Sequence, residues 1–391
     1  MDFDITATTL YGLEPLLAAE LEKAGAKDTE IFNRAVSFRG DRELLYKANL
    51  SLRTCSRLLV PLRRFKVRDE KRLYEVIRDI DWKKYLDTGG TLAVDSVVHS
   101  KYFTHSKYAA LKVKDAVVDQ FRDRYGRRPS VDRDRPDLRI NLHIADDECV
   151  ISLDSSGAPL HMRGYRQEGS AAPINEVLAA GMVMLSGYDG SCSFIDPLCG
   201  SGTIVIEAAM IAAGIAPGLL RKDFGFFRWK DFDSALYKKI VKNLSAGAVK
   251  KTFHPVTGAD VSRGALKTAK NNIERAGLSD IIDLHQGAVT DLIPPSEPGI
   301  MVTNPPYGKR MGAKDINDLY KDIGDILKQR YSGYEAWMIS SNFEALKHVG
   351  LRPSKKVKLY NGPIECRFQR YSIYSGSKKA KYNAESEDGR S

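Results

Sequence analysis

The sequence predicts an α/β protein: a mainly parallel sheet with helices on both faces, preceded by a smaller α+β region. Three observations predict it. From about Gly164 to Gly376 strand-like runs alternate with helical ones, as in SFIDPLCGSG before TIVIEAAMIAAG and VTGADVS before GALKTAKNNIERAG. Glycine turns stand where strands pass into helices. Residues 1 to about 165 alternate shorter strands and helices, and 391 residues exceed one ordinary core.

In chain order, FDITAT reads as a strand, and Leu13, Leu16, Leu17 and Leu21 then fall at helical spacing until Gly25. RAVSFRG is a second strand, and DRELLYKANL a helix opened by an Asp41 cap. Arg53 to Arg72 is densely basic around a short apolar run, either a solvated face or a phosphate-facing one. More cations follow in HSKYFTHSKYAALKVKD, interleaved with Tyr102, Phe103 and Tyr108. Aromatics beside cations stack on bases and neutralise phosphates, or else they belong to a core. The candidate RNA-facing cations are Arg53, Arg57, Arg63, Arg64, Lys66, Lys101, Lys107 and Lys112.

Bulk composition narrows the class. Sixty Lys and Arg against fifty Asp and Glu give a formal charge of +10, which favours an anionic partner: nucleic acid first, an acidic membrane surface second. The five cysteines form no C-x-x-C pair or Cys/His cluster, so neither a disulfide framework nor a metal site is expected. The opening segment carries acids where a secretion signal is basic. The apolar stretch Thr203 to Leu220 contains Glu207, Gly214, Pro217 and Gly218, and reads as a buried helix with its terminator. A cytoplasmic protein with no membrane span is expected.

FIDPLCGSGT places Asp196, Gly200 and Gly202 between a strand and an apolar helix. Glycines let the backbone approach a ligand closely, and the helix start offers free N–H groups. The dinucleotide pattern G-x-G-x-x-G fails, with Val205 where its third glycine belongs and no phosphate-loop lysine. Alone, the segment is also an ordinary strand-to-helix turn. Asp260, ending the next strand, changes the balance: a carboxylate there accepts both ribose hydroxyl protons of a nucleoside.

VTNPPYGKR, residues 302 to 310, follows a further strand. Two prolines make it a rigid turn. With the glycine turn and Asp260 upstream, the chain resembles a class I S-adenosylmethionine-dependent methyltransferase of the amino-methylating type, whose signature is N/D-P-P-Y/F. The chemistry agrees. An exocyclic base amine is a poor nucleophile because its lone pair is conjugated into the ring. The Asn304 side-chain oxygen and the Pro305 carbonyl can each accept one N–H from it, aiming the lone pair at the sulfonium methyl. Pro305 and Pro306 hold those acceptors rigid, and Tyr307 is placed to stack on a flipped-out base.

The joining segment LHMRGYRQEGSAAPINEVLAAGMVML, DPLCGSGTIVIEAA and VTNPPYGKRMG are similar to THUMP-containing bacterial large-subunit rRNA guanine-N2 methyltransferases of the RlmL amino-terminal-half type. Such chains also carry the older label N6-adenine DNA methylase. The resemblance covers nearly the whole chain. It implies a ferredoxin-like region at 1–55, a THUMP RNA-binding domain at 56–155 and a Rossmann-like methyltransferase domain at 156–376, while the segment 377–391, with almost no apolar content, is expected to be a disordered tail. It implies S-adenosylmethionine contacts from Asp196, Cys199, Gly200, Ser201, Gly202, Asp260 and Val261, with Tyr165, Pro173 and Asn175 closing the pocket.

One position departs from the pattern: Ala288 stands where an acidic residue usually meets the adenine amino group, so either the backbone at Gly287 and Ala288 or the side chain of Asp291 serves. The insertion from Pro217 to Pro255, with FGFFRWKDF, is expected to pack against the sheet edge, the alternative being a wall of an RNA cleft.

The implied reaction is methyl transfer to guanine N2 in 23S rRNA, free or in a large-subunit assembly intermediate. The alternatives are tRNA guanine N2, adenine N6 in nucleic acid, and a non-catalytic RNA-binding or ribosome-assembly protein. The missing third glycine and the N-P-P-Y turn set a nicotinamide dehydrogenase aside.

Overall fold

The structure, a computed structural model, describes residues 1–166, 174–249, 252–295, 298–308 and 312–373. The chain forms two compact units: residues 1–164 with 216–247, and residues 165–215 with 248–391.

The first unit is built on one eight-stranded sheet. Its strands are β1 (Phe3–Thr8), β2 (Lys27–Phe32), β3 (Ala35–Gly40), β4 (Arg57–Lys66), β5 (Thr91–His99), β6 (Ser130–Val131), β7 (Leu138–Ala145) and β8 (Glu148–Asp154). They lie in the order β2-β3-β1-β4-β8-β7-β5-β6. The expected helix Glu14–Ala24 ends on Gly25 at φ 106°, a left-handed cap that glycine adopts without strain. Asp41 caps the next helix by accepting the Leu44 N–H at 2.9 Å.

The basic run holds a strand that charge patterning hides. β4 pairs with both β1 and β8, so it lies inside the sheet. Pro61 interrupts it at a register shift between Pro61 and Arg63, where a missing N–H is tolerated.

The insertion departs from expectation. It groups with the first unit, and Phe224, Phe226 and Ile240 enter the core built on Ile5, Leu17 and Phe38 instead of packing on an edge of the parallel sheet. Aromatic stacking is the reason: the Phe226 ring lies 4.4 Å from that of buried Tyr46, at 19°. Gly218 permits the approach, since a Cβ there would come within 2.6 Å of Leu50 Cα.

The second unit holds β9 (Ser193–Asp196), β10 (Val256–Asp260), β11 (Ile282–Gln286), β12 (Gly299–Thr303), β13 (Tyr334–Ser340), β14 (Lys355–Asn361) and β15 (Ile364–Ser372). Their order is β11-β10-β9-β12-β13-β15-β14. β9 to β13 pair in parallel, while β15 runs antiparallel to β13 and β14. Chain order runs outward in opposite directions from β9, through β10 on one side and β12 on the other. The β9–β12 boundary is therefore a topological switch point, where α/β sheets open a crevice beyond the strand ends. No described helix is long and apolar enough to cross a membrane.

Candidate active site

The glycine turn leaves β9, whose four residues are all buried. The Cys199 N–H donates to the Ala259 carbonyl at 2.8 Å, and the Gly202 N–H to that of Cys199 at 2.8 Å. Gly200 and Gly202 take φ of 54° and 82°. A side chain on Gly200 would meet no atom within 4 Å. The space above that backbone is open, and glycine is what leaves it so. Buried Asn272, on the helix Arg263–Ala276, fixes the turn by donating Nδ2–H to the Ser201 carbonyl at 3.0 Å. The thiol of Cys199 is pushed up by burial and by the charges of Asp196 and Asp260, so it stays protonated and is no nucleophile near neutral pH.

Asp260 closes the turn from β10. Its Oδ2 accepts the Gly200 N–H at 3.0 Å, and its Oδ1 accepts that of Ser262 at 2.8 Å. A carboxylate offers about four lone-pair sites, so each oxygen keeps capacity for one hydroxyl. Val261 beside it is 66% exposed, an apolar surface at the strand end.

Asp196 is 1% exposed. Its Oδ1 accepts the Thr303 hydroxyl at 2.8 Å and the Leu198 N–H at 3.1 Å. Burial outweighs those two bonds and, with the charge of Asp260 adding to it, pushes the carboxyl up to about 7. Thr303 ends β12, so this bond joins the strand carrying the glycine turn to the strand carrying Asn304.

Asn304 to Tyr307 follow β12 directly. Oδ1 of Asn304 accepts the Tyr307 hydroxyl at 2.5 Å. No described donor reaches the Pro305 carbonyl. The Tyr307 carbonyl accepts Asn342 Nδ2–H at 3.3 Å. Behind the loop runs a buried chain: the Asn342 N–H donates to Ser340 Oγ at 3.0 Å, Ser340 and Tyr320 share a hydroxyl bond at 2.7 Å, and Tyr320 donates to the Pro306 carbonyl at 3.4 Å. Burial pushes the Tyr320 hydroxyl up to about 12. Burial also raises the Tyr307 hydroxyl, with the Cys366 thiol beside it at 3.9 Å. Tyr307, expected to stack on a base, points its hydroxyl back at Asn304.

The remaining expected pocket residues differ in role. Asn175 caps the helix Glu176–Leu185, with Oδ1 accepting the N–H groups of Val177 at 2.9 Å and Leu178 at 3.4 Å. Tyr165 is buried. Pro173 lies outside the described residues. Ala288 is half-buried and leads into a turn closed by the Asp291 N–H on its carbonyl at 2.9 Å, while the Asp291 side chain is exposed. Arg166, which sequence reasoning missed, donates to Thr203 Oγ1 at 2.8 Å and pairs with buried Glu176 at 3.1 Å.

In the first unit the candidate cations divide. Arg57 is consumed by buried Asp154 and by the Gly157 carbonyl at 2.8 Å. Arg63 pairs with Asp79 at 2.8 Å, and Arg53 is half-buried. Arg64, Lys66, Lys101 and Lys107 are exposed. The Lys101 ammonium lies 5.2 Å from the exposed Tyr102 ring, with the Arg68 guanidinium 5.7 Å from it, and Lys112 lies 5.3 Å from Tyr108. Phe103, 6% exposed, belongs to the core.

A doubly flanked parallel sheet with a glycine turn and a strand-end carboxylate at its switch point defines a class I methyltransferase fold. Residues 163–370 match the RMKL-like methyltransferase domain, 67–154 the THUMP domain and 4–59 the RlmL ferredoxin-like domain. The chain belongs to the RMKL-like methyltransferase family.

Among its relatives is a ribosomal RNA large subunit methyltransferase K/L of Methylococcus capsulatus, 40% identical over 95% of this chain and 52% of its own. The chain thus spans about half the length of such K/L relatives. A Synechocystis sp. protein named "Putative RNA methyltransferase slr0064" is 39% identical over 94% of this chain and 96% of its own. A crystal structure described as SMU.472, a "putative methyltransferase complexed with SAH", superposes with a TM-score of 0.86 at 28% identity, covering 96% of this chain and 99% of that one.

Proposed function

We propose that this protein transfers the methyl group of S-adenosylmethionine to the exocyclic N2 amine of a guanine in large-subunit (23S) rRNA. The observation that carries the reading is the placement of Asn304 and Pro305 directly after β12, next to Thr303, which is bonded to Asp196 at the end of β9. The relatives' names and the THUMP match favour RNA as the acceptor.

The residues present fit the cofactor. Glycine at 200 leaves the space a nucleoside needs, Asp260 retains lone pairs for the ribose hydroxyls, and Asp196 supplies a carboxyl for the cofactor's ammonium group. When bound, the cofactor supplies an electrophilic methyl on a positively charged sulfur. Asn304 Oδ1 keeps a second lone pair beside the Tyr307 hydroxyl and accepts one amine N–H, and the Pro305 carbonyl accepts the other. Both bonds turn the nitrogen lone pair out of conjugation and toward the methyl carbon. The N–C bond forms as the C–S bond breaks with its electrons to sulfur, and the nitrogen gives up one proton to water. Ser340, Tyr320 and Asn342 keep the two acceptors from retreating as charge develops.

The test is incubation with radiolabelled S-adenosylmethionine and, separately, rRNA, tRNA and duplex DNA, followed by digestion to nucleosides. Label in N2-methylguanosine from rRNA is expected. Label only in methyladenosine, or only in tRNA, refutes the assignment of base or substrate.

A further inference from the structure

The hairpin of β14 and β15 carries a cation that the fold leaves uncommitted. The guanidinium of Arg367, an exposed residue of β15, lies 4.1 Å from the centre of the Phe343 ring. Phe343 is half-buried and packs against the core around Tyr320 and Met338, so the ring is a fixed platform. Beyond that ring, the Arg367 side chain has no hydrogen-bond or ion-pair partner among the described residues. Glu365, the carboxylate its charge reaches, is bonded to Lys358 at 2.7 Å instead.

Strand register puts the pair at the edge of the sheet where Asn304 stands. Thr303 lies opposite Met338 in the parallel pair β12–β13, and Ser340, two residues further on, lies opposite Arg367. Arg367 is therefore at the level where Asn304 and Pro305 leave β12. Two separate contacts tie the platform to that turn: Asn342, just before Phe343, donates to the Tyr307 carbonyl at 3.3 Å, and the thiol of Cys366, just before Arg367, lies 3.9 Å from the Tyr307 hydroxyl. Lys358 lies opposite Arg367 across the hairpin, and Lys356, two residues back, shares their face. Lys356 is exposed and has no ion pair among the described residues, so it adds to the positive field there.

A guanidinium held over an aromatic ring keeps a fork of N–H donors that matches a phosphate bidentately. A base that swings out to present its amine to Asn304 leaves its own sugar and phosphate at the rim of the turn. We propose that Arg367, held over Phe343, grips the backbone phosphate beside the guanosine that enters the Asn304 turn. The proposal rests on the RNA-methyltransferase reading for its ligand and makes Arg367 a determinant of RNA affinity and register, without contact to the reacting atoms.

The test measures retention of a large-subunit rRNA transcript by the full-length protein, saturated with S-adenosylhomocysteine, across a salt series. Each phosphate neutralised on a single strand contributes about 0.7 to the slope of log affinity against log salt. Arg367→Gln should lower affinity about tenfold and reduce that slope by about 0.7, raise KM for rRNA by the same factor as it lowers affinity, and leave S-adenosylhomocysteine binding unchanged. Arg367→Lys keeps the charge without the fork, so it should restore the slope and only part of the affinity. An unchanged slope in Arg367→Gln overturns the proposal and leaves Arg367 a packing partner of Phe343. A reduced slope with unchanged KM puts the phosphate away from the reacting nucleotide and overturns it too. If the wild-type protein retains the RNA but methylates none, the functional reading fails, and the slope still decides whether Arg367 meets a phosphate; if it retains no RNA, both fail.

Discussion

Thr303 donates its hydroxyl hydrogen to Asp196 Oδ1 at 2.8 Å, and both side chains are buried. The bond spans the β9–β12 boundary and links the strand carrying the glycine turn to the strand that leads into Asn304. Thr303→Val keeps the shape and removes the donor, at a cost of about 1–3 kcal/mol in stability. It should also weaken S-adenosylhomocysteine binding about tenfold by calorimetry. Thr303→Ser, which restores the hydroxyl, should recover most of both.

Burial pushes the carboxyl of Asp196 up to about 7 in the fold, from an ordinary value of 3.8. Between those values the folded protein binds a proton that the unfolded chain has released, so this group's contribution to stability falls as pH rises through the window and is at its lowest above 7. Asp196→Asn removes the titration. The drop in melting temperature between pH 5 and pH 8 should therefore be smaller in the variant. Cofactor affinity runs the other way: an ammonium placed at Asp196 favours the carboxylate, so wild-type affinity should rise from pH 5.5 to 8, and that of Asp196→Asn should stay flat.

Asn304→Ala removes an acceptor that no neighbour replaces. Transfer should fall by at least a thousandfold, roughly 4 kcal/mol in the barrier, while the dissociation constant for S-adenosylhomocysteine stays within twofold. Tyr307→Phe tests the hydroxyl that orients Asn304: kcat should fall about tenfold without loss of cofactor affinity. Equal kcat in the two tyrosine forms would leave Tyr307 only a packing role.

Much of this site could be read in the sequence, because its residues sit at turns with few physical explanations. Asp260 ends a strand and Gly200 and Asn304-Pro305 come just after one, and a parallel sheet brings its strand ends to one edge. Thr303, Asn272, Tyr320 and Asn342 were illegible because they act through contacts 20 to 107 residues apart along the chain. The same limit hid β4, whose arginines and Pro61 mimic a solvated loop, and made Arg57 look like a phosphate ligand when its partner is the buried Asp154. Tyr102 and Phe103 are adjacent, yet one is exposed and the other in the core. Composition cannot assign that alternation.

The insertion offers a last prediction, about stability rather than chemistry. Phe226 is fully buried, and its ring lies 4.4 Å from Tyr46, 5.2 Å from Phe224 and 5.1 Å from Phe227. Residues 216–247 thus complete a core that begins at Ile5, more than 200 positions earlier in the chain, and truncating that ring should cost about 3–5 kcal/mol. Gly225 leaves no slack either, since a Cβ there would meet the Asp154 carbonyl at 2.6 Å. Phe226→Ala and Gly225→Val should each lower the denaturant midpoint of the first unit, followed through the fluorescence of Trp82 and Trp229. Affinity for S-adenosylhomocysteine at low denaturant should remain at the wild-type value, because the second unit keeps its own core around Tyr320, Tyr331 and Met338. Loss of cofactor binding in step with the first unit's midpoint would instead mean that the two units unfold as one.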